Sequence, residues 1–335
     1  MTTAAPGASA RPPAQKKVAL LTKVARMYHE RGMTQPEIAE QLNLSQSRVS
    51  RLLKDAVEMG VVRTIVVAPP GVHTDLEDDI RARFELRDVV VVDAPAEHNE
   101  EALLAALGSG AAGYLEASLR PDDRIGISSW SSTLLAVLRA MSPRTTRMAR
   151  EVVQILGGVG NPAAQVKATH LADGLARVTG SSAVYLPLPG IVADASVVDV
   201  LLNDSYTGTA PSLWDELTVA LVGIGSLQPS ELLKSSGNTI SAQDEEQLRK
   251  RGAVGDVCLR FFDAAGDPVE SDLERRVIGI SSDQLKRTPR RIGVAGGDRK
   301  HDAVVAAVRG GWVNVLITDE DTAEYLLRAD EKSRR

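Results

Sequence analysis

Residues 34–53, TQPEIAEQLNLSQSRVSRLL, have the pattern of a helix-turn-helix. Two short helices that cross at a steep angle would bury the apolar residues of this stretch against a third helix. Thr34 and Glu37 have the spacing of a capping box, which predicts that the first helix begins at Thr34. We expect Asn43 to take a positive φ in the turn and Ser45 to cap the second helix. The apolar positions are Ile38, Leu42, Leu44, Val49, Leu52 and Leu53.

The second helix of this motif carries polar side chains opposite its apolar face. Gln, Ser and Arg side chains can hydrogen-bond to base edges and phosphates, so we interpret it as the recognition helix for double-stranded operator DNA. An ordinary helical hairpin with a solvated polar face gives a similar pattern. The predicted DNA contacts are Thr34, Gln35, Ser45, Gln46, Ser47, Arg48, Ser50, Arg51 and Lys54.

Three neighbouring features favour DNA binding over the plain hairpin. Residues 16–31, KKVALLTKVARMYHER, predict an amphipathic first helix, and residues 61–67, VVRTIVV, form a β-rich segment suited to a wing. Residues 1–68 contain 10 Lys and Arg against 5 Asp and Glu, whereas the remaining residues contain 29 against 39. A basic head on an acidic body is expected when only the head meets DNA phosphates.

The chain of 335 residues is too long for one winged helix and predicts a small head with one large domain. We expect a disordered leader over residues 1–15, a DNA-binding domain over 16–68, and an effector-binding and oligomerisation domain over 69–335. No apolar run approaches the roughly 20 residues that span a bilayer, and the N-terminus has no signal-peptide core. The sequence therefore predicts a cytoplasmic protein.

Cysteine and histidine usage gives no indication of a metal or redox site. Cys258 is the single cysteine, so we expect a small buried hydrophobic side chain rather than a disulfide or a nucleophile. The five histidines have no metal-ligand spacing. We expect no cofactor and no metal.

From residue 88 onward, short β-branched runs alternate with helical patterns. Such alternation predicts an α/β fold, doubly wound, with a mostly parallel sheet covered on both faces. The predicted strands are 88–93, 124–128, 151–158, 183–189, 218–225, 276–281, 291–297 and 313–319. The predicted helices are 98–119, 131–141, 164–179, 194–203, 241–250, 299–309 and 320–328.

Several of these strands end in glycine, serine or threonine, at 126–133 (GISSWSST), 157–160 (GGVG), 223–226 (GIGS) and 293–300 (GVAGGDRK). Ligands of doubly wound folds bind beyond the carboxyl ends of the strands. There, glycine lets backbone amides approach an anion and helix N-termini favour negative charge. The pattern indicates a phosphorylated or polyhydroxylated ligand, although glycine at a single turn also has a purely geometric explanation. The nucleotide-binding pattern GxxxxGK[ST] is missing, which disfavours a kinase.

The order of the motifs resembles the SorC family of bacterial transcriptional regulators across nearly the whole chain. After the helix-turn-helix, the resemblance is carried by GISSWSSTL, VVQILGGVG, LPLPGIV, ALVGIGSL, GAVGDVCLRFFDAAGDPV and the segment 291–323. It implies a sugar-binding domain related in fold to ribose-5-phosphate isomerase and glucosamine-6-phosphate deaminase, which oligomerises as a homodimer or homotetramer. The implied effector is a sugar phosphate or a related sugar or polyol.

The resemblance also implies a set of effector-binding residues. Asp256 would accept hydrogen bonds from sugar hydroxyls and Lys300 would supply a charge to a phosphate. Many members have glycine after the tryptophan of the first loop, where this chain has Ser131, which leaves phosphorylation of the effector open. The implied residues are Ser128, Ser129, Trp130, Ser131, Ser132, Thr133, Gln154, Gly158, Asp256, Gly296 and Lys300.

Structural roles compete for some of these positions. Lys300 would also suit a solvated helix start, and Trp130 suits either stacking on a sugar or simple packing. Asp256 and Asp263 would also suit turn caps in a hairpin, and Asp319 and Glu320 are expected to cap the last helix.

Two functions compete at this stage. The first is a regulator whose operator affinity depends on the effector, and the second is a sugar-phosphate isomerase or deaminase fused to a DNA-binding head. Asp256 would be the base of an isomerase, but no second acid–base residue stands out. We therefore expect a regulator that is not an enzyme.

Overall fold

The computed structural model describes residues 13–62, 71–94, 99–143, 146–159, 162–207, 209–228, 234 and 240–333. The chain divides into two compact units, residues 1–67 and 68–335. Residues 1–12 of the expected leader and residues 63–67 of the expected wing lie outside the described residues. Within the described part of the chain, none of the helices is both long enough and apolar enough to cross a membrane.

The first unit contains three helices, α1 (Pro13–His29), α2 (Gln35–Leu42) and α3 (Gln46–Glu58). Residues 13–15, expected in the leader, are helical, since proline is tolerated in the first turn of a helix. The three helices share one apolar core, as the apolar positions of the sequence predict. Its buried members are Leu21, Val24, Ala25, Met27, Ile38, Ala39, Val49, Leu52, Leu53 and Ala56.

Both helices of the motif begin at the predicted caps, and the turn between them has the predicted conformation. The carboxylate of Glu37 accepts hydrogen bonds from the backbone N–H and the hydroxyl of Thr34, both at 2.8 Å. These bonds lower the pKa of Glu37. Asn43 has a φ of 51°, and the Ser45 hydroxyl accepts from the N–H of Arg48 at 3.3 Å. The helix-turn-helix prediction is therefore confirmed, with Thr34 as the N-cap of α2.

The second unit is built on a seven-stranded sheet in the order β1-β10-β9-β5-β2-β3-β4, whose six strand pairs are all parallel. The alternation of strands and helices therefore predicted the fold class correctly. The strands are β1 (Asp88–Val92), β2 (Arg124–Ile127), β3 (Glu151–Gln154), β4 (Ser182–Val184), β5 (Val219–Gly223), β9 (Arg290–Val294) and β10 (Val315–Asp319).

Helices cover both faces of this sheet. They are α4 (Thr74–Phe84), α5 (Glu100–Ser118), α6 (Ser132–Ala140), α7 (Pro162–Thr179), α8 (Val198–Leu202), α9 (Ala242–Lys250), α10 (Ser282–Arg287), α11 (His301–Arg309) and α12 (Glu320–Ser333). The central strand β5 shows the two-sided burial, since Val219 and Leu221 belong to one apolar cluster and Ala220 and Val222 to another. Two of these helices, α4 and α10, were not predicted from the sequence.

A small antiparallel sheet was also missed. It has the order β6-β7-β8, with β6 (Gly225–Ser226), β7 (Ala253–Val257) and β8 (Arg260–Asp263). These strands are short, and β7 and β8 lie in the segment read from sequence as a possible hairpin. The second sheet adds a wall beyond the carboxyl end of β5.

The predicted strand 276–281 is wrong. Its backbone makes only isolated bridges, Val277 with Ile191 and Gly279 with Leu156. The apolar side chains of this run are nevertheless buried, since Val277, Ile278 and Ile280 are at most 2% exposed. An apolar run indicates burial, but only the backbone partners decide whether it is a strand.

Candidate functional site

The exposed face of α3 carries the predicted DNA contacts. The Ser45 cap and the residues Gln46, Ser47, Arg48, Ser50, Arg51 and Lys54 are all exposed. On the neighbouring helix, Thr34 is exposed and Gln35 is half-buried. The opposite face of α3 holds the buried Val49, Leu52 and Leu53, so packing against α1 and α2 orients the polar face outward.

Charge on this face is available for a partner. Lys54 lies 3.7 Å from Glu58, whereas within the described residues no ion pair engages Arg48 or Arg51. Two unpaired guanidinium groups in the first two turns of an exposed helix suit contacts to base edges and phosphates.

The second unit contains a cavity of about 500 Å³ beyond the carboxyl ends of β2, β5, β9 and β10. The small antiparallel sheet and the start of α5 form its other walls. Eight of the eleven predicted effector residues line it: Ser128, Trp130, Ser131, Ser132, Thr133, Asp256, Gly296 and Lys300. Residues separated by more than 150 positions thus meet in one place.

The other three predicted effector residues lie outside the cavity lining. The Ser129 hydroxyl donates to the carbonyl of Leu156 at 2.6 Å. The Gln154 side-chain oxygen accepts from the N–H of Leu186 at 2.8 Å. Gly158 is buried beside these contacts. The first two therefore bond to the backbone of neighbouring segments, and Leu156 is itself part of the cavity lining.

Trp130 packs in an apolar cluster and also lines the cavity. Its side chain is 8% exposed and packs with Leu156 and Ile240. The indole N–H donates to the carbonyl of Gly157 at 3.0 Å, which fixes the ring orientation. The ring therefore forms a rigid piece of the cavity wall.

The N-terminus of α6 opens into the cavity. The Ser131 hydroxyl caps the helix by accepting from the N–H of Leu134 at 3.2 Å. The N–H groups of Ser132 and Thr133 have no intrahelical acceptor, as expected for the first turn of a helix. The hydroxyls of Ser128 and Thr133, on residues only 7% and 3% exposed, have no hydrogen-bond partner within the described residues. This group of donors is suited to an anion.

Lys300 lies at the same cavity, half-buried just before α11. No described residue hydrogen-bonds to its ammonium group or forms an ion pair with it. Burial lowers the pKa of Lys300, and the nearby charge of Asp256 opposes that effect. An ammonium group that is desolvated and lacks a partner gains more from a bound anion than a solvated one would.

Asp256 lies in β7, one residue before the end of the strand, and its carboxylate interacts electrostatically with Lys300. Burial raises its pKa to about 6, although the N–H of Leu259 and the charge of Lys300 favour the ionised form. The Leu259 N–H donates to Oδ2 at 2.9 Å, so Asp256 does cap the hairpin turn. It also faces the cavity, where Oδ1 lies against Gly225 of the paired strand.

The hairpin turn itself is strained. Cys258 and Leu259 have φ values of 55° and 61°, in the left-handed region that a two-residue hairpin turn requires and that usually contains Asn or Gly. Such residues persist where the surroundings hold them, which is frequent at binding sites. Cys258 is a free, buried cysteine, as expected, and burial raises the pKa of its thiol.

Sequence reasoning missed the part that Asp319 plays in the cavity. The expected helix cap is present, since the N–H of Thr322 donates to Asp319 Oδ1 at 3.1 Å. Asp319 Oδ2 also accepts the N–H of Gly297 at 2.9 Å, which ties the start of α12 to the glycine loop. By contrast Asp263 is confined to its turn, where it accepts the N–H groups of Ala265 and Asp267. No cluster of potential metal ligands occurs in the described ranges.

Comparison with known proteins gives matches over both units. Residues 69–328 match the family model described as "Putative sugar-binding domain", and residues 19–58 match the model described as "Sigma-70, region 4". The chain is 28% identical to the sorbitol operon regulator of Klebsiella pneumoniae over 93% of this chain and 98% of that protein. It is 31% identical to the deoxyribonucleoside regulator of Bacillus subtilis (strain 168), with the same coverage of both chains.

Among solved structures, the full-length sorbitol operon regulator from Klebsiella pneumoniae is similar, with a TM-score of 0.69 and 28% identity. The match covers 92% of this chain and 98% of that one. The similarity therefore includes the helix-turn-helix region and the α/β unit of a regulator.

Proposed function

Since this chain belongs to the SorC family of bacterial sugar-responsive transcriptional regulators, we propose that its cavity binds a phosphorylated sugar or polyol that sets the operator affinity of its head. The chain is a DNA-binding transcriptional regulator with a sugar-binding domain. The proposal concerns the chemistry of the effector and the residues that hold it.

One observation carries the proposal: the unpaired ammonium group of Lys300 and the open N-terminus of α6 line the same cavity. Both favour negative charge, the first by Coulomb attraction and the second through its free N–H groups and the helix dipole. The buried hydroxyls of Ser128 and Thr133 add two further donors. A phosphoryl group has enough acceptor oxygens to engage all of them.

The remainder of the effector is expected to be polyhydroxylated. Asp256 lines the cavity and has one carboxylate oxygen engaged by Leu259, so its carboxylate can also accept hydrogen bonds from sugar hydroxyls. The Trp130 ring and its apolar neighbours suit the C–H face of a sugar. We assign no direct contact to Ser129, Gln154 or Gly158.

The effector must act through its differential affinity for two conformations of the protein. Coupling of this kind is reciprocal, so operator DNA changes effector affinity by the same factor. A recognition helix reads only a few base pairs, so we expect a homodimer or homotetramer that places at least two heads on symmetric half-sites. We expect this to take place in the cytoplasm, where bacterial DNA lies.

We further propose that the cavity binds without turnover. Asp256 has the raised pKa that a general base needs, but two of the neighbouring carboxylates, Asp319 and Glu100, are engaged in other contacts. Asp319 accepts from Gly297 and Thr322, and Glu100 pairs with Arg299 at 2.9 Å. An isomerase or deaminase assay with each phosphorylated compound that binds tests this point, and product formation that is lost in Asp256→Asn would contradict it.

The test of the proposal is a thermal-shift screen of the full chain. The names of the relatives include sorbitol and a deoxyribonucleoside, so hexitols, hexoses, pentoses and deoxypentoses are tested with and without a phosphoryl group. A compound present at 100 times its Kd stabilises the folded state by about 2.7 kcal/mol. We expect stabilisation by at least one phosphorylated compound and none by its unphosphorylated counterpart. Equal stabilisation by both would contradict the phosphate assignment.

A further inference from the structure

The cavity has two turns at which a glycine or serine loop leads from a strand into a helix. One is the start of α6, whose donors are open, and the other is the Gly296–Gly297 loop that follows β9. From sequence alone, both suit an anion. The structure shows that the second loop already holds one.

The anion in the glycine loop is the carboxylate of Asp319. The N–H of Gly297 donates to Asp319 Oδ2 at 2.9 Å, and the hydroxyl of Thr322 donates to the same oxygen at 2.7 Å. Asp319 is only 2% exposed. The donor that a second phosphoryl group would need is therefore already in use.

The space in this loop is also occupied. A Cβ atom on Gly296 would lie 2.0 Å from Asp319 Oδ2, so the backbone of the loop already packs directly against the carboxylate. The absence of a side chain at Gly296 thus serves contact with Asp319, not the approach of a ligand.

The charges of the cavity lining also disfavour a second phosphoryl group. Three cationic side chains, Lys234, Arg299 and Lys300, are outnumbered by five carboxylates, Glu100, Asp256, Asp298, Asp319 and Asp321. Arg299 is also paired with Glu100 at 2.9 Å. One anionic group can be placed beside α6 and Lys300, but a second would lie among carboxylates.

We propose that Asp319 is a specificity-determining residue that restricts the cavity to ligands with a single phosphoryl group. This inference rests on the proposed function, because it assumes that the first phosphoryl group binds at α6 and Lys300. A bisphosphate of the same carbon skeleton is rejected by a buried carboxylate that fills the second loop.

The test is isothermal titration of the full chain at constant ionic strength with matched probes. The pairs are ribulose 5-phosphate with ribulose 1,5-bisphosphate, fructose 6-phosphate with fructose 1,6-bisphosphate, and inorganic phosphate with pyrophosphate. We expect each monophosphate that binds to bind at least about tenfold more tightly than its doubly phosphorylated partner, because like charges in contact disfavour binding. Equal or tighter binding of the doubly phosphorylated probe would overturn the proposal.

A variant separates the role of Asp319 from the general charge of the protein. Asp319→Asn keeps the shape and removes the charge, so we expect the preference for the monophosphate to fall at least about threefold, in line with the loss of like-charge repulsion. The control is Glu324→Gln, which removes one exposed charge from the same helix and should leave the preference unchanged. An unchanged preference in Asp319→Asn would also overturn the proposal.

Because Asp319 caps α12, circular dichroism checks whether the Asp319→Asn variant folds. If it does not fold, the comparison of monophosphate and bisphosphate binding by the wild-type protein decides the proposal. Failure of the proposed function has a different signature. If unphosphorylated sugars bind and none of the phosphorylated probes does, the phosphate assignment is wrong and this inference is wrong with it. If monophosphates and bisphosphates bind equally, only this inference is wrong.

Discussion

Replacement of Lys300 by methionine tests the anion site directly. Lys300→Met keeps most of the aliphatic chain and removes the ammonium group. A hydrogen bond to a charged group contributes about 1.5–3 kcal/mol. At 1.4 kcal/mol per factor of ten, the Kd of a phosphorylated ligand should therefore rise about 10- to 150-fold. The unphosphorylated counterpart makes no such contact, so it should show no measurable binding to either the wild type or the variant.

The structure also predicts the effect of this change on stability. Burial lowers the pKa of Lys300, so the folded state disfavours its charged form, and the described residues provide no ion pair in compensation. Lys300→Met should thus leave the melting temperature of the ligand-free protein unchanged or raise it. If the ammonium group of Lys300 instead stabilised the fold, the change would lower the melting temperature.

The assays are isothermal titration with the phosphorylated compound found in the screen, thermal melting without it, and fluorescence anisotropy with an operator duplex. Effector-free operator binding should be the same in the variant and the wild type. The matched control is Lys250→Ala, since Lys250 is exposed on α9 and pairs with Glu246 at 3.4 Å. If Lys300→Met binds the phosphorylated compound as tightly as the wild type does, Lys300 does not hold the phosphoryl group and the reasoning is refuted.

Three further predictions concern the head and the hairpin. Arg48→Ala should relax the sequence preference of DNA binding at a cost of about 1–3 kcal/mol, while Arg51→Ala should weaken binding to all DNA sequences evenly and reduce the dependence of log affinity on log salt concentration by about one unit. Anisotropy titrations with operator and random duplexes measure both effects. Identical effects of the two changes would contradict the assignment. A fragment of residues 1–70 should bind a single half-site far more weakly than the full chain binds its operator. A gel-shift assay with both proteins measures the two affinities, and equal affinities would contradict this prediction. Burial raises the folded-state pKa of Asp256 to about 6, above the unfolded value, so its ionisation costs stability at pH 7.5 and not at pH 4. Asp256→Asn should therefore melt higher than the wild type at pH 7.5, with the difference shrinking as the pH falls through 6, and a difference that does not change with pH would argue against a buried carboxylate.

The helix-turn-helix could be predicted from sequence almost residue by residue. Its caps at Thr34 and Ser45 and its turn at Asn43 depend on contacts between residues three or four positions apart. Its DNA-facing side chains come from one helix, so their grouping follows from helical periodicity. The alternation of strands and helices determined the parallel sheet for a similar reason, because each βα unit is local in sequence.

The residues of the cavity could be predicted from sequence only in part. Ser128 and Ser129 are neighbours just after β2, yet one faces the cavity and the other bonds to Leu156, a residue 27 positions away. The antiparallel sheet and the segment 276–281 show the same limit. Their apolar residues were recognisable, but the partners that join β6 to β7 and segment 276–281 to its neighbours lie in distant parts of the chain.

The glycine loop shows what only the tertiary structure decides. Gly296 and Gly297 have the composition of an anion-binding loop, and Asp319 has the position of a helix cap. Parallel pairing of β9 with β10 brings their carboxyl ends together, and the carboxylate of Asp319 then takes the N–H of Gly297. A backbone donor is free for a ligand only if no side chain of the folded chain already accepts its hydrogen bond. The contact between Gly297 and Asp319 spans 22 positions, so no local sequence pattern indicates it.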